Sequence, residues 1–331
     1  MLQLKKTMDQ NLIFKEILKD ELEQFDVYLR DALSSSNQRI ATILEHAFKV
    51  SGKRIRPVMV LLVAKAFGKI TPATYYGAIT VELLHTATLI HDDVIDESSM
   101  RRGQPSANAV FDNKKSVLAG DYLLSSAVLQ SVKTESLEIV EIIAELGKNL
   151  SEGELNQFEL AHEVIIDEHE YFEVIDKKTA SLLQACTKIG AITGGADRHA
   201  IEDFGAMGRD IGLAFQIRDD IFDYYSKDVG KPTGNDIREG KITLPLIYAL
   251  QHAPEEVSEK MIAVIRSKDY TAKNIEMLLN FAKTNGGIEY AEKKMDKCLK
   301  NAENIVRRAS IDEDYKMILD FLFRYLRDRK Y

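Results

Sequence analysis

Two runs of this chain combine residue type and spacing in a way that can do chemistry. Asp92-Asp93-Val94-Ile95-Asp96 and Asp219-Asp220-Ile221-Phe222-Asp223 both read DDxxD. On a helix, the first and last carboxylates of such a run fall on one face, where both can reach one cation. Magnesium prefers one or two carboxylates completed by water and phosphate oxygens, rather than a full protein cage. A single DDxxD is also what a solvated acidic helix end looks like. Two copies, each following an apolar stretch (VELLHTATLIH and DIGLAFQIR), point to the mouth of a pocket.

Carboxylates alone repel a diphosphate, so cations must stand between them, and the sequence supplies cations of its own. Gly52-Lys53-Arg54-Ile55-Arg56-Pro57 sets three basic residues before a helix, and Arg101-Arg102-Gly103 follows the first acidic run closely enough to fold back over it. Arg suits bidentate phosphate recognition and Lys supplies a compact charge. Lys178-Thr179, Lys231 and Lys241 are candidates around the second run. Each lysine taken singly reads as a solvated surface residue, and only together do they suggest an anion site. His85 shares a helical face with Asp92, as a pocket or core histidine rather than a metal ligand. His91 reads as a capping or solvent-facing residue. Gln216, near Asp220, reads equally as a substrate contact or as a helix–helix contact.

The elements that must position these groups are helical almost throughout. Val81, Leu84, His85, Thr88 and Asp92 recur at three- and four-residue steps, as do Leu146, Leu150, Gly153 and Gln157. The periodicity predicts helices over 11–31, 38–50, 57–67, 72–97, 114–132, 135–163, 168–193 and 198–227. It continues over 242–252, 255–267, 272–284, 287–308 and 312–328. Strand signals are essentially absent. The prolines fall mostly at helix starts or in loops, with Pro245 suited to a first turn. No long linker divides the chain, and the candidate chemistry lies on both sides of its strongest breaks, Gly194-Gly195 and Gly230–Gly234. The expectation is one all-α domain over 1–331.

Bulk composition narrows the function classes. With 44 basic and 52 acidic residues the net charge is −8, which argues against nucleic acid. Cys186 and Cys298 are the two cysteines, too few for a disulfide framework or a zinc site and compatible with a reducing cytoplasm. The first residues lack the apolar segment and cleavage site of a signal peptide. The apolar run Val58–Ala64 is too short to span a bilayer. The chain reads as a soluble, cytoplasmic protein.

The ordered series GKRIRP (52–57), HDDVIDESSMRRG (91–103), GDYLL (120–124), GELNQ (153–157), KTASL (178–182), FQIRDDIFD (215–223) and GKPTGNDIREGKITLP (230–245) resembles the trans-isoprenyl diphosphate synthases, or polyprenyl synthetases. The resemblance implies a helical bundle around a deep central cavity, usually a homodimer, with several magnesium ions per site. It implies that Asp92, Asp96 and Asp219 ligate magnesium, and that Asp93, Asp220 and Asp223 do so directly or through water. Arg101, Lys178, Lys231 and Lys241 would hold an allylic diphosphate, with Thr179 and Gln216 at its reacting end. Gly52, Lys53, Arg56, His85 and Arg102 would form the isopentenyl diphosphate site. A class I terpene cyclase and a noncatalytic synthase subunit are the competing readings; intact aspartate motifs and a second set of cations weigh against both.

Product length is read from the helix before Asp92. At 1.5 Å per residue, Thr88 lies about 6 Å below Asp92 and Val81 about 16 Å. Members of the resembled family that make short products carry aromatic side chains four or five residues before the first motif. Here those positions are Thr88 and Ala87, whose small side chains suggest an open tunnel and a long-chain product, with a quinone side chain as its destination. Leu84 and Val81, or residues near Leu146 to Leu150, would form the floor. The competing reading is that Ala87 and Thr88 merely permit helix packing, and a short-chain product remains the alternative. The C-terminal FLFRYLRDRKY suggests either a docking helix or a peripheral contact with an anionic membrane that eases product release.

Overall fold

The computed structural model describes residues 17–49, 54–225 and 233–328. Gly52, Lys53 and Lys231 lie outside the described residues. The elements, in chain order, are α1 (Lys19–Ala32), α2 (Gln38–Phe48), α3 (Ile55–Phe67) and α4 (Pro72–Ile95). A two-stranded hairpin follows, β1 (Met100–Arg101) and β2 (Gln104–Pro105), then α5 (Ala107–Phe111), α6 (Asn113–Val132), α7 (Leu137–Glu163) and α8 (Glu168–Ile175). A π-helical turn, Asp176–Ala180, leads into α9 (Ser181–Gly194). Beyond it come α10 (Arg198–Asp223), α11 (Asn235–Arg238), α12 (Leu244–His252), α13 (Glu255–Ser267), α14 (Ala272–Thr284), α15 (Gly287–Arg308) and α16 (Glu313–Asp328). The all-α expectation holds.

Residue contacts group the chain into two compact units, Met1–Gly147 with Ala185–Phe204, and Lys148–Gln184 with Gly205–Tyr331. In the first, α4 begins at a capping box, Thr71 and Thr74 satisfying each other's backbone N–H groups, with Pro72 in the first turn. It packs chiefly on α6 and α3. Val60, Leu61, Leu62, Val63 and Ala64 of α3 are all fully buried, so α3 is apolar all round, as a helix enclosed by others must be. Gly190 and Gly194 on α9 admit its backbone: a Cβ at either would stand 2.6 Å from the carbonyl oxygen of Val60 or Ala64.

In the second unit α12 packs on α14 and α15, and α16 on α15. Pro245 sits in the first turn of α12, as its spacing predicts. Leu319, Leu322, Phe323 and Leu326 of α16 are buried. The apolar face formed by these four residues of α16 is thus occupied by packing, as the docking reading expects. No helix among the described residues is long and apolar enough to cross one.

Candidate active site

In the first unit the reactive groups gather at the C-terminal end of α4. Asp92 lies in its last turn and Asp96 is its C-cap, with the Asp96 N–H donating to the Asp92 carbonyl (2.8 Å). Negative charge at a helix C-terminus meets the negative end of the macrodipole and is disfavoured. Carboxylates held there, one turn apart, are a donor set suited to a divalent cation. Asp93 points the other way and is buried, its Oδ1 accepting from Nε (2.9 Å) and Nη2 (2.5 Å) of Arg101.

The hairpin brings Arg101 there. Its two-residue loop is Arg102-Gly103, with φ +53° and +76°, the positive pair that a tight hairpin turn demands. Asn108 ties the loop down, its Nδ2 donating to the carbonyls of Asp93 and Ser98 (3.1 Å each), while the Ser106 hydroxyl donates to Ser98 (2.7 Å). Sequence reading missed Asn108; its position soon after RRG was the available signal. His91 is no ligand: its Nε2 bonds the Val117 carbonyl (3.1 Å), and its ring fills the notch left by Gly120. That accounts for the glycine of GDYLL.

Below the aspartates, His85 is buried, and burial together with Arg56, Arg102 and Arg101 holds its pKa well below 6.5. Its neutral form is therefore the favoured one at neutral pH. Val81, Leu84 and Ala87 are buried, while Thr88 is half-buried, with its hydroxyl turned back to the His85 carbonyl (2.9 Å). Thr88 therefore presents only its methyl group away from its own helix.

In the second unit the site is built around the π turn. The Ser181 N–H reaches back to the Asp176 carbonyl, five residues earlier, widening the helix at Lys178 and Thr179. Two glycines lie against the widened turn. A Cβ on Gly153 of α7 would stand 3.0 Å from the Lys178 nitrogen, and one on Gly212 of α10 would stand 2.5 Å from the Ala180 Cα. Arg209 forks onto Asp176 (2.6 and 2.9 Å) and anchors the turn to α10.

From that turn a hydrogen-bonded chain runs through the second motif. The Thr179 hydroxyl donates to Gln216 Oε1 (2.8 Å), Gln216 Nε2 to Asp220 Oδ1 (2.8 Å), and the Tyr171 hydroxyl to Asp220 Oδ2 (2.6 Å). Gln216 thus serves Asp220 and Thr179 together. Lys178 pairs with Glu154 (2.5 Å) and contacts Gln157 (3.3 Å), both from GELNQ, and Lys241 pairs with Glu239 (2.5 Å). Asp223 accepts from the backbone N–H groups of Asn235 and Asp236 (3.0 and 3.2 Å), while Asp219 is about half exposed.

A cavity of about 200 Å³ is lined by Lys178, Thr179, Gln216, Asp220, Asp236 and Lys241, with Val174 and Ile175 on an apolar side. Burial raises the Asp220 carboxyl well above its usual range, and burial with the nearby Asp223 charge pushes Asp236 up to about 7. So many carboxylates in one buried corner share too little positive charge, and a divalent cation is what would let them all ionise. Tyr171, Glu154 and Asp236 were missed in the sequence. Glu154 and Asp236 lie inside motifs already singled out, whereas nothing local marks Tyr171.

A sequence model of the family described as polyprenyl synthetase matches residues 37–282. The short chain isoprenyl diphosphate synthase of Methanothermobacter thermautotrophicus is 34% identical over 320 residues, covering 93% of this chain and 97% of its own. The octaprenyl diphosphate synthase of Escherichia coli (strain K12) is 34% identical over 290 residues, 86% of this chain and 90% of its own. A decaprenyl diphosphate synthase structure from Rhodobacter capsulatus superposes with a TM-score of 0.91 at 34% identity, covering 96% of this chain and 99% of its own. A polyprenyl synthase from Caulobacter crescentus CB15, complexed with calcium and isoprenyl diphosphate, gives 0.88 at 29% identity, over 99% and 100% of the two chains. With the helical architecture and both acidic motifs in place, the chain belongs to the polyprenyl synthetase family of prenyl transferases, the trans-isoprenyl diphosphate synthases.

Proposed function

We propose that this enzyme condenses isopentenyl diphosphate with an allylic diphosphate, using magnesium, and extends the chain past farnesyl length to a long all-trans product of the kind carried by quinones. The observation that carries the diphosphate chemistry is the joining of Lys178, Thr179, Gln216 and Asp220 around one cavity by the π turn. Asp92, Asp96 and Asp219 are the residues to hold magnesium directly, with Asp93, Asp220 and Asp223 supporting them. When bound, the metal neutralises charge building on the departing diphosphate.

The chain's own groups do the rest. Arg101, Lys178 and Lys241 bind the allylic diphosphate, each exchanging its present carboxylate partner for phosphate oxygens. The allylic C–O bond breaks with its electron pair going to the diphosphate. Thr179 and Gln216 face the cationic carbon with oxygen dipoles. Arg56, His85 and Arg102 hold isopentenyl diphosphate so that its double bond attacks that carbon. A proton then leaves the new chain for the released pyrophosphate. Aligning the two substrates removes much of the entropic barrier.

Length rests on Ala87 and Thr88, where no aromatic ring stands below Asp92. A short product is the second reading, supported by the short-chain relative. The family match spans both units, which supports one catalytic domain over 1–331. On α6, Leu118, Leu129 and Val132 are 62, 65 and 58% exposed on one face, and we read that face as the contact of a homodimer. Retention in the cytoplasm is the matching location.

The experiment is incubation with magnesium, labelled isopentenyl diphosphate and farnesyl diphosphate, followed by sizing of the products. Long linear prenyl alcohols after phosphatase treatment, absent when magnesium is chelated, are expected. Cessation at C20 or below would overturn the length, a cyclic hydrocarbon the reaction, and full turnover without a divalent cation the role of metal.

A further inference from the structure

Arg56, in the first turn of α3, and Glu82, on α4, belong to helices that pack on each other. The Nε of Arg56 and the Oε2 of Glu82 are both shut off from water, and neither has a hydrogen-bond partner. A donor and an acceptor left so are costly, and here they are complementary. Burial works against both charges, lowering the Arg56 guanidinium and raising the Glu82 carboxyl from their ordinary values, and each is the strongest charge opposing that shift in the other. Arg102 and Arg54 also act on Glu82, and all three line one cavity of about 220 Å³. The other carboxylate of that cavity, Asp26, is paired with Arg54.

A carboxylate cannot ligate a diphosphate, so Glu82 has to serve a cation that does. The guanidinium is a planar fork whose Nε edge and Nη edge face different ways. Holding the first edge aims the second. Resting on the reading that Arg56 binds isopentenyl diphosphate, we propose that Glu82 is a positioning residue for that substrate. It takes the Nε–H of Arg56 through one bridging water and fixes the Nη groups toward the diphosphate.

The test is steady-state kinetics of the full chain with each substrate varied in turn. Glu82→Ala should raise the KM for isopentenyl diphosphate about tenfold, the size of one charge-assisted hydrogen bond. The allylic KM and kcat should stay within about twofold. Glu82→Gln, which keeps an acceptor but loses the charge, should raise the same KM about threefold, and it decides the matter if Glu82→Ala does not fold. Arg56→Lys lacks the Nε edge, so adding Glu82→Ala to it should change little. Equal rises in both KM values, or effects of Glu82→Ala and Arg56→Lys that multiply, would overturn the proposal. A wild-type enzyme that fails to use isopentenyl diphosphate would instead overturn the functional reading beneath it.

Discussion

Replacing Thr88 by Tyr tests the product ruler, because two independent readouts must move in opposite ways. Thr88 is half-buried on α4, with its hydroxyl spent on the His85 carbonyl, so the residue gives up no partner elsewhere. If it faces packed side chains, the added ring overpacks the site at about 1–3 kcal/mol, and Tm falls by several degrees. If it faces the proposed tunnel, the ring has room and Tm holds. Along the helix a stop at Thr88 rather than at Val81 removes seven residues, roughly 10 Å of path. An isoprenyl unit has four chain bonds against three per residue, so it spans roughly 4.5 Å on the reach of an extended chain. The variant should therefore lose at least two C5 units from its main product, read by chromatography of the dephosphorylated alcohols, with Tm within about a degree of wild type. Unchanged product length with a lowered Tm would refute the tunnel and make Thr88 a packing residue.

Other outcomes follow from the same geometry. The folded pKa of His85 lies below its unfolded value of 6.5, so the unfolded chain takes up the extra proton. Its contribution to stability is complete above about pH 6.5 and is lost as pH falls below that value, which denaturant melts of wild type and His85→Asn between pH 5 and 8 will show as a smaller slope in the variant. Gly120→Ala must displace the His91 ring, whose Cδ2 would lie 2.5 Å from the new methyl. A loss of about 1–3 kcal/mol is expected in urea unfolding, largely restored by His91→Ala in the double variant. Tyr171→Phe removes a buried donor to Asp220, and should cost about 1.5–3 kcal/mol in the same assay together with a fall in turnover. Leu129→Lys should convert the proposed dimer to monomer by light scattering, the monomer keeping its helical circular dichroism; a wild type that is itself monomeric would refute that reading of α6.

The helices were legible because period and capping speak locally. The predicted span 255–267 and the observed Glu255–Ser267 agree, as do 272–284 and 287–308 with α14 and α15. What escaped was set by tertiary contact. The span 168–193 reads as one helix, yet it contains the π turn that places Lys178 and Thr179, held by Gly153, Gly212 and Arg209 from distant parts of the chain. A one-residue widening leaves no mark on a hydrophobic period. The hairpin at 100–105 was hidden for a similar reason: two residues per strand are too few to alternate, although Arg102-Gly103 is a recognisable turn pair. Of the site, the carboxylates and cations were named from spacing. Glu82 and Tyr171 were not, since a group that positions another is visible only once both are placed.

The location of the motifs carries its own consequence. Both DDxxD runs close their helices, α4 at Ile95 and α10 at Asp223, where the helix dipole and like-charge spacing both work against carboxylates. Folding alone would not choose this arrangement, so the protein without metal should be strained by its own site. Asp96→Asn tests that directly. Asp96 is an exposed C-cap one turn from Asp92, and neutralising it relieves both effects by about a few tenths of a kcal/mol once solvent screening is allowed for. In the metal-free protein Tm should rise by roughly 1 °C. Adding magnesium with a nonhydrolysable diphosphate should raise the wild-type Tm by several degrees, because a ligand that binds only the folded state stabilises it by mass action. The same addition should move the variant much less, so the two melting curves cross. A variant that is less stable than wild type without metal would mean that Asp96 is held by the fold rather than by the cation, and would count against its place among the ligands.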